Sequence, residues 1–216
     1  QSDLESATLL NSHYSNKVEA LRVRISSTSG TTPAPPPAQR GFSFHPVGIN
    51  TVLRFLRRLS STKAKGIDGI TTIFWKKTSK QLARVICHLV NASLSTGVVP
   101  NLFKSALIHP VLKKGKDQSL PSSYRPVAIL PALSKVLEMA VVEQLTAFLD
   151  KESLLPDQQH GFRRNRSTLS AVATATHSWA LSLAPPREGG KGGKSVAIAS
   201  YDFSSAFDTL SKETVL

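Results

Sequence analysis

Residues 105–149 read SALIHPVLKKGKDQSLPSSYRPVAILPALSKVLEMAVVEQLTAFL, and the apolar pattern changes period within them. The first eight, SALIHPVL, are rich in residues that favour extended chain, but Pro110 lacks the N–H that a central strand must donate. The reading is an edge or irregular strand that runs into the basic KKGK of 113–116. From 134 to 149, Leu137, Ala140, Val141, Leu145, Phe148 and Leu149 lie along one stripe at helical spacing.

The same alternation of short extended runs and helices continues on both sides. Upstream, 47–59 predicts a helix in which Val52, Leu53, Phe55, Leu56 and Leu59 are apolar, with Arg54, Arg57 and Arg58 between them. A break at KAKGIDG precedes a helical stretch over 71–95, with Ile73, Phe74, Leu82, Val85, Ile86, Leu89, Val90 and Leu94 in register and Gly97 and Pro100 as stops. Trp75 and Cys87 read as core or partly buried residues. Downstream, Leu169, Val172, Thr176, Trp179 and Leu183 predict a helix capped by Ser167 or Thr168. SVAIASYDF (195–203) alternates like a strand. Helices and strands are interleaved without the regular beat of a doubly wound sheet, so the expected class is α+β.

Residues 26–41, SSTSGTTPAPPPAQRG, read as a linker: they offer too little apolar surface to offset the entropy of ordering, and their prolines favour extended polyproline II. A weakly helical segment, 1–25, precedes it. The alternative role for PAPPP, a proline-rich ligand, stays open on sequence alone.

The 216 residues carry 27 Lys and Arg against 14 Asp and Glu, a net charge of +13. Residues 41–116 hold thirteen of the basic residues and one acidic one, Asp68, which leaves +12 in that stretch. A polyanion is the natural partner of such a field, nucleic acid before an anionic membrane. A single cysteine, Cys87, excludes an internal disulfide and a zinc site of paired cysteines. No stretch approaches the ~20 apolar residues of a membrane span, and QSDLESATLL lacks the order of a signal peptide. The expected setting is intracellular, nuclear or cytoplasmic, and the initial Gln1 suggests a processed chain or fragment.

GGKGGKS is not a phosphate-binding loop, because Glu188 stands where its first glycine belongs and a strand signal, not a helix, follows. In YDFSSAFD (201–208), Asp202 closes a β-rich run, a place from which a carboxylate can hold a divalent cation. A surface aspartate at a strand end is the competing reading.

Five blocks in order, KAKGIDGI (63–70), GVVPNLFKSALIHPVLKKGK (97–116), SSYRPVAILPALSKVLE (122–138), QHGFRRNRST (159–168) and YDFSSAFDTL (201–210), resemble the fingers and first palm motif of LINE-type (non-LTR) retrotransposon reverse transcriptases. The resemblance implies fingers over 42–194 and the start of the palm over 195–216 of a right-hand polymerase. It implies that Asp202 binds two catalytic Mg²⁺ ions with help from the Phe203 carbonyl, and that Phe207 lies under the incoming sugar and excludes a 2′-hydroxyl. Arg125 resembles the fingers arginine over the incoming nucleotide, for which a guanidinium suits both stacking and phosphate bonding. Lys113 and Lys114 are similar to the basic fingertip that meets the triphosphate, with the choice between them open. Gln159, Gly161, Phe162 and Arg163 look like the template and nucleotide pocket, with Gly161 admitting close approach and Arg163 on phosphate. Asp68 and Gly69 read as a structural turn, and Asp208 as a helix-end carboxylate.

Template and primer contacts are expected from Arg54, Arg57, Arg58, Lys63, Lys65, Lys76, Lys77, Arg164 and Arg166. The implied partners are an RNA template, a DNA primer and a dNTP, with no membrane. The sequence departs from the family in having no two adjacent acidic residues, and so no aromatic-x-Asp-Asp hairpin. It reads as truncated before that motif and inactive alone. The alternatives are a non-catalytic nucleic-acid-binding relic and a group II intron maturase-like reverse transcriptase.

Overall fold

The computed structural model describes residues 3–26, 41–62, 64–184 and 195–203. They form helices α1 (Asp3–Ser26), α2 (Ile49–Arg58), α3 (Thr72–Lys77), α4 (Ser79–Thr96), α5 (Ala132–Lys151) and α6 (Thr168–Leu183), and strands β1 (Leu107–Leu112) and β2 (Tyr124–Ile129). Short 3-10 turns at Asn101–Lys104 and Pro121–Ser123 precede the two strands. Among the described residues the class is therefore mixed: helices with one small antiparallel sheet. Two compact units divide between Ala147 and Phe148. Among the described residues no helix is long and apolar enough to cross a membrane.

The core of the first unit is a three-helix contact. α2 contributes Val52, Phe55, Leu56 and the following Leu59, α4 contributes Ile86, Cys87 and Val90, and α5 contributes Ala132, Val136, Leu137 and Ala140, with Phe103 closing one side. Trp75 packs against this cluster, as expected for it and for Cys87. Two side-chain amides fix the extended segment that leads into α2. Asn91 of α4 accepts from the Val47 N–H at 2.8 Å and donates to its carbonyl at 3.0 Å. Gln144 of α5 does the same for His45, at 2.8 and 3.0 Å. Each amide satisfies a donor and an acceptor that would otherwise need a sheet partner or water.

The stretch expected as one helix over 71–95 is broken into α3 and α4 at Thr78, whose hydroxyl donates to the Phe74 carbonyl at 2.9 Å. Such back-bonding offers the backbone an alternative to continued helix. α4 ends where the glycine signal places it: Gly97 sits at φ +70° and its N–H donates to the Ser93 carbonyl at 3.0 Å.

β1 contains Pro110, and the register sets it opposite Pro126 of β2. The ladder phase explains why both are tolerated. The Lys113 N–H donates to the Ser123 carbonyl at 2.9 Å, which makes 113/123 a hydrogen-bonded pair. Alternation then makes 111/125 bonded and 110/126 non-bonded, so neither proline owes the ladder an N–H. β2 has no counterpart in the sequence reading.

In the second unit, Ser167 caps α6 through a capping box with Ser170, as expected. Residues 195–203, expected as a strand, have no regular secondary structure. A strand needs a hydrogen-bonded neighbour, and the sheet among the described residues is β1–β2 alone. The linker residues 27–40, the loop 185–194, Lys63, Phe207 and Asp208 lie outside the described residues.

KAKGIDG is more than a break. Lys65 bridges Thr71, and Asp68 accepts from the Ile70 N–H at 3.2 Å, closing a turn with Gly69 at φ +67°. A Cβ on Gly66 would lie 2.7 Å from the Pro131 nitrogen and 2.8 Å from its Cα, both main-chain atoms that cannot swing aside. Gly66→Ala is therefore expected to lower the unfolding free energy by about 1–3 kcal/mol, read from urea denaturation, whereas Gly41→Ala, with open space around it, leaves the midpoint in place.

Candidate nucleotide and nucleic-acid sites

The residues that the resemblance singles out fall in both units, and each group is described within its own. In the first unit, the connection between β1 and β2 carries the fingertip lysines. Gly115, at φ +72°, turns the chain after Lys114, and the Lys116 N–H donates back to the Lys113 carbonyl at 3.1 Å. Asp117 then accepts from the Ser119 N–H and hydroxyl, both at 2.8 Å, which hold its carboxyl below the usual range. The Tyr124 hydroxyl donates to the Gln118 carbonyl at 2.9 Å. These bonds build a shaped loop rather than a loose basic tail.

Within it the two lysines differ. Lys113 is half-buried and its Nζ donates to the Ser122 carbonyl at 2.7 Å, while Lys114 is exposed. Arg125 is exposed opposite Val111. Residues 111 and 113 share a strand face, and cross-strand partners share it too, so Lys113 and Arg125 stand on one side of the hairpin.

The basic stretch separates into two kinds of residue. Arg54 makes a bidentate pair with Glu143 of α5 at 2.7 and 2.8 Å and lies 4.8 Å over the Phe55 ring. Lys76 donates to the Leu59 carbonyl at 2.8 Å and to the Ser61 hydroxyl at 3.0 Å, so it closes the C-terminal end of α2. Both side chains, expected on nucleic acid, make these internal contacts. Arg57, Arg58, Lys65 and Lys77 are exposed on the surface of this unit.

In the second unit, the loop between α5 and α6 is built by two arginines. Arg163 donates from Nη1 to the Pro156 carbonyl at 2.9 Å and pairs through Nη2 with Asp150 at 3.5 Å, and its side chain is only 16 % exposed. Arg166 donates to the Asp157 carbonyl at 2.8 Å and pairs with the Asp157 carboxylate at 3.3 Å. His160 Nδ1 and the Ser170 hydroxyl share a hydrogen bond of 2.8 Å. Gln159, Phe162 and Arg164 are among the loop residues exposed to solvent. Phe162 sits at φ +58° with its ring fully exposed, a conformation uncommon for a bulky residue. Among the described residues Gly161 has no neighbour within 4 Å of the Cβ it lacks, so none of them demands a glycine there. The clamps at Pro156, Asp150 and Asp157 were not foreseen, since no local pattern announces them.

Asp202 and Phe203 are exposed in the segment 195–203. A carboxylate and a main-chain carbonyl are hard oxygen donors suited to Mg²⁺, but they supply only part of a six-oxygen shell. Among the described residues there is no group of three or more His, Cys, Asp or Glu that could hold an ion.

Residues 111–214 match the sequence profile of the family described as reverse transcriptase (RNA-dependent DNA polymerase). Among curated relatives, the chain is 29 % identical over 140 residues to a probable RNA-directed DNA polymerase from transposon BS of Drosophila melanogaster, covering 65 % of this chain and 16 % of that protein. It is 30 % identical over 121 residues to the corresponding protein of the X-element from the same fly, covering 56 % and 13 %. To the RNA-directed DNA polymerase of the mobile element jockey it is 29 % identical over 132 residues, covering 61 % and 14 %. The chain thus spans about a sixth or less of the length of these relatives.

The Arg54–Glu143 pair gives a pH-dependent term in stability. The hydrogen bond from Arg54 holds the Glu143 carboxyl below its usual value, with burial opposing and the charges of Arg54 and Arg58 assisting. A carboxyl depressed in the folded state stabilises above its ordinary range, and that contribution is lost as pH falls through the depressed value. With the two side chains 44 % and 48 % exposed, the contribution stays under ~1 kcal/mol. Glu143→Gln is expected to lower the unfolding free energy by less than that at neutral pH and to flatten its fall below about pH 5, measured by urea titration across pH.

Proposed function

We propose that this chain, which belongs to the reverse transcriptase (RNA-dependent DNA polymerase) family over residues 111–214, supplies the fingers and the first metal-binding motif of a non-LTR retrotransposon polymerase. The fingers span 42–194 and the palm begins at 195. The observation that carries the reading is that the family match contains Arg125, Gln159–Arg163 and Asp202 in one run, and begins two residues before the fingertip lysines.

In the parent reaction a primer 3′-hydroxyl attacks the α-phosphate of a dNTP on an RNA template and pyrophosphate leaves. Two Mg²⁺ ions, when bound, stabilise the attacking and leaving oxygens. Asp202 offers them a carboxylate, and the Phe203 carbonyl a further ligand. Arg125 and Lys113, on one side of the hairpin, neutralise the triphosphate, with Lys114 beside them. Gln159, Gly161 and Phe162 receive template and nucleotide, and Phe207 tests the sugar at its 2′ position. Arg163 acts here by holding the loop that carries Phe162. Arg57, Arg58, Lys65, Lys77 and Arg164 contact the phosphates of template and primer, which makes binding salt-sensitive and tolerant of sequence.

Two measurements test this. With single-stranded RNA, Arg57→Ala and Arg58→Ala together are expected to reduce the slope of log K against log salt by ~1.4, two contacts at ~0.7 each, while Arg54→Ala leaves the slope unchanged. An unchanged slope in the double variant removes α2 from the interface. In a polypeptide that carries this segment together with an aromatic-x-Asp-Asp hairpin, Asp202→Ala is expected to cut primer extension on RNA by at least ~10²-fold without loss of RNA binding. Retained extension refutes the metal assignment, and binding without extension in the unsubstituted polypeptide favours a nucleic-acid-binding role alone.

A further inference from the structure

α1 lies upstream of the family match, yet it forms one wall of a cleft whose other wall is the β1–β2 connection. The cleft has a volume of about 410 Å³, within the range of small-ligand sites. His13, Tyr14 and Lys17 line it from α1, and Lys113, Ser122 and Tyr124 from the connection. No carboxylate is among its lining residues.

The hydrogen-bonding groups in the cleft are unbalanced toward donors. The Tyr14 hydroxyl is shielded from solvent and has no hydrogen-bond partner among the described residues. Burial, and after it the neighbouring Tyr124 hydroxyl, hold the Tyr14 phenol above its usual value, so at neutral pH it is a protonated donor. The His13 ring packs edge-on against Tyr14 at 5.7 Å and fixes its place on the helix. Lys113 uses one of three ammonium hydrogens on the Ser122 carbonyl, which leaves two. Lys17 also lines the cleft. A shielded donor without an acceptor is costly, and an oxyanion entering this cleft would satisfy it.

We infer that the cleft binds a nucleotide phosphate, with the Tyr14 hydroxyl and the Lys113 ammonium as donors, so that α1 forms half of a site the family match does not include. The inference rests on the proposed function only through Lys113, and the variants below separate the two.

The test uses the full 216-residue chain at low salt with two probes, sodium tripolyphosphate followed by calorimetry and a fluorescein-labelled rU10 followed by anisotropy. Tyr14→Phe removes one oxygen that has no partner among the described residues, so the thermal midpoint should hold and a change in binding belongs to the ligand. The expected result is about tenfold weaker binding of at least one probe, with a comparable loss for Lys113→Ala. Weakening with tripolyphosphate identifies the phosphate chain of a free nucleotide, and weakening with rU10 alone identifies the backbone of a single strand. If Tyr14→Phe changes neither probe by more than about twofold while Lys113→Ala weakens one, the α1 site is refuted and the nucleotide role of Lys113 survives. If neither variant matters, both fail, and Asp202 is still judged by primer extension. As an independent check, rU10 carrying 4-thiouridine should crosslink to α1 peptides, and crosslinks confined to other segments would also overturn the inference.

Discussion

The burial of one face of a ten-residue helix organises the first unit. Val52, Phe55 and Leu56 of α2 are 0–1 % exposed, packed between α4 and α5, and each such side chain stabilises by roughly 1.5–3 kcal/mol when removed from water. Helical periodicity then leaves no choice for the residues between them. Arg54, Arg57 and Arg58 must emerge from the core, and where each emerges decides what it can do. Arg54 leaves beside α5 and finds Glu143, whereas Arg57 and Arg58 leave toward solvent at the C-terminal end, where positive charge also suits the helix dipole. The charge pattern of this surface is thus a consequence of packing.

The parts of the fold legible in the sequence are those whose information is local. α2, α5 and α6 follow from stripes of apolar residues, and the end of α4 and the start of α6 follow from Gly97 and Ser167. The parts that were not legible depend on distant partners. β2 is short and mostly exposed, so it shows no alternation of buried and open residues, and its Pro126 argues against a strand until it is set opposite Pro110. The Asn91 and Gln144 clamps join residues 44 and 99 positions apart, and no spacing rule relates an amide to a backbone so far away. Residues 195–203 show the converse error: alternation is necessary for a half-buried strand but does not provide the neighbour that makes one.

The candidate positions come from family resemblance, and the structure adds the local contacts that each of them makes. Family resemblance places Lys113 and Lys114 side by side without distinguishing them, and the loop does so through the Ser122 carbonyl, which takes one lysine and leaves the other exposed. Composition counts Arg54 and Lys76 with the phosphate-binding charges. Geometry adds that Arg54 also pairs with a carboxylate and that Lys76 also closes a helix end.

Arg163 carries this distinction furthest. A guanidinium five-sixths covered and bonded to Pro156 and Asp150 has little freedom to follow a ligand. Its fork spans the loop from the end of α5 to the residue after Phe162, and that span fixes the chain where Phe162 adopts a positive φ and turns its ring outward. An exposed aromatic in a conformation that costs energy persists only when its surroundings over-determine it, and the two arginine clamps are that determination. Arg163, expected on phosphate, makes these contacts within its own loop. Exposed on the same loop are the Phe162 ring and Arg164, an aromatic face and a cation of the kinds that stack on a base and attract a phosphate.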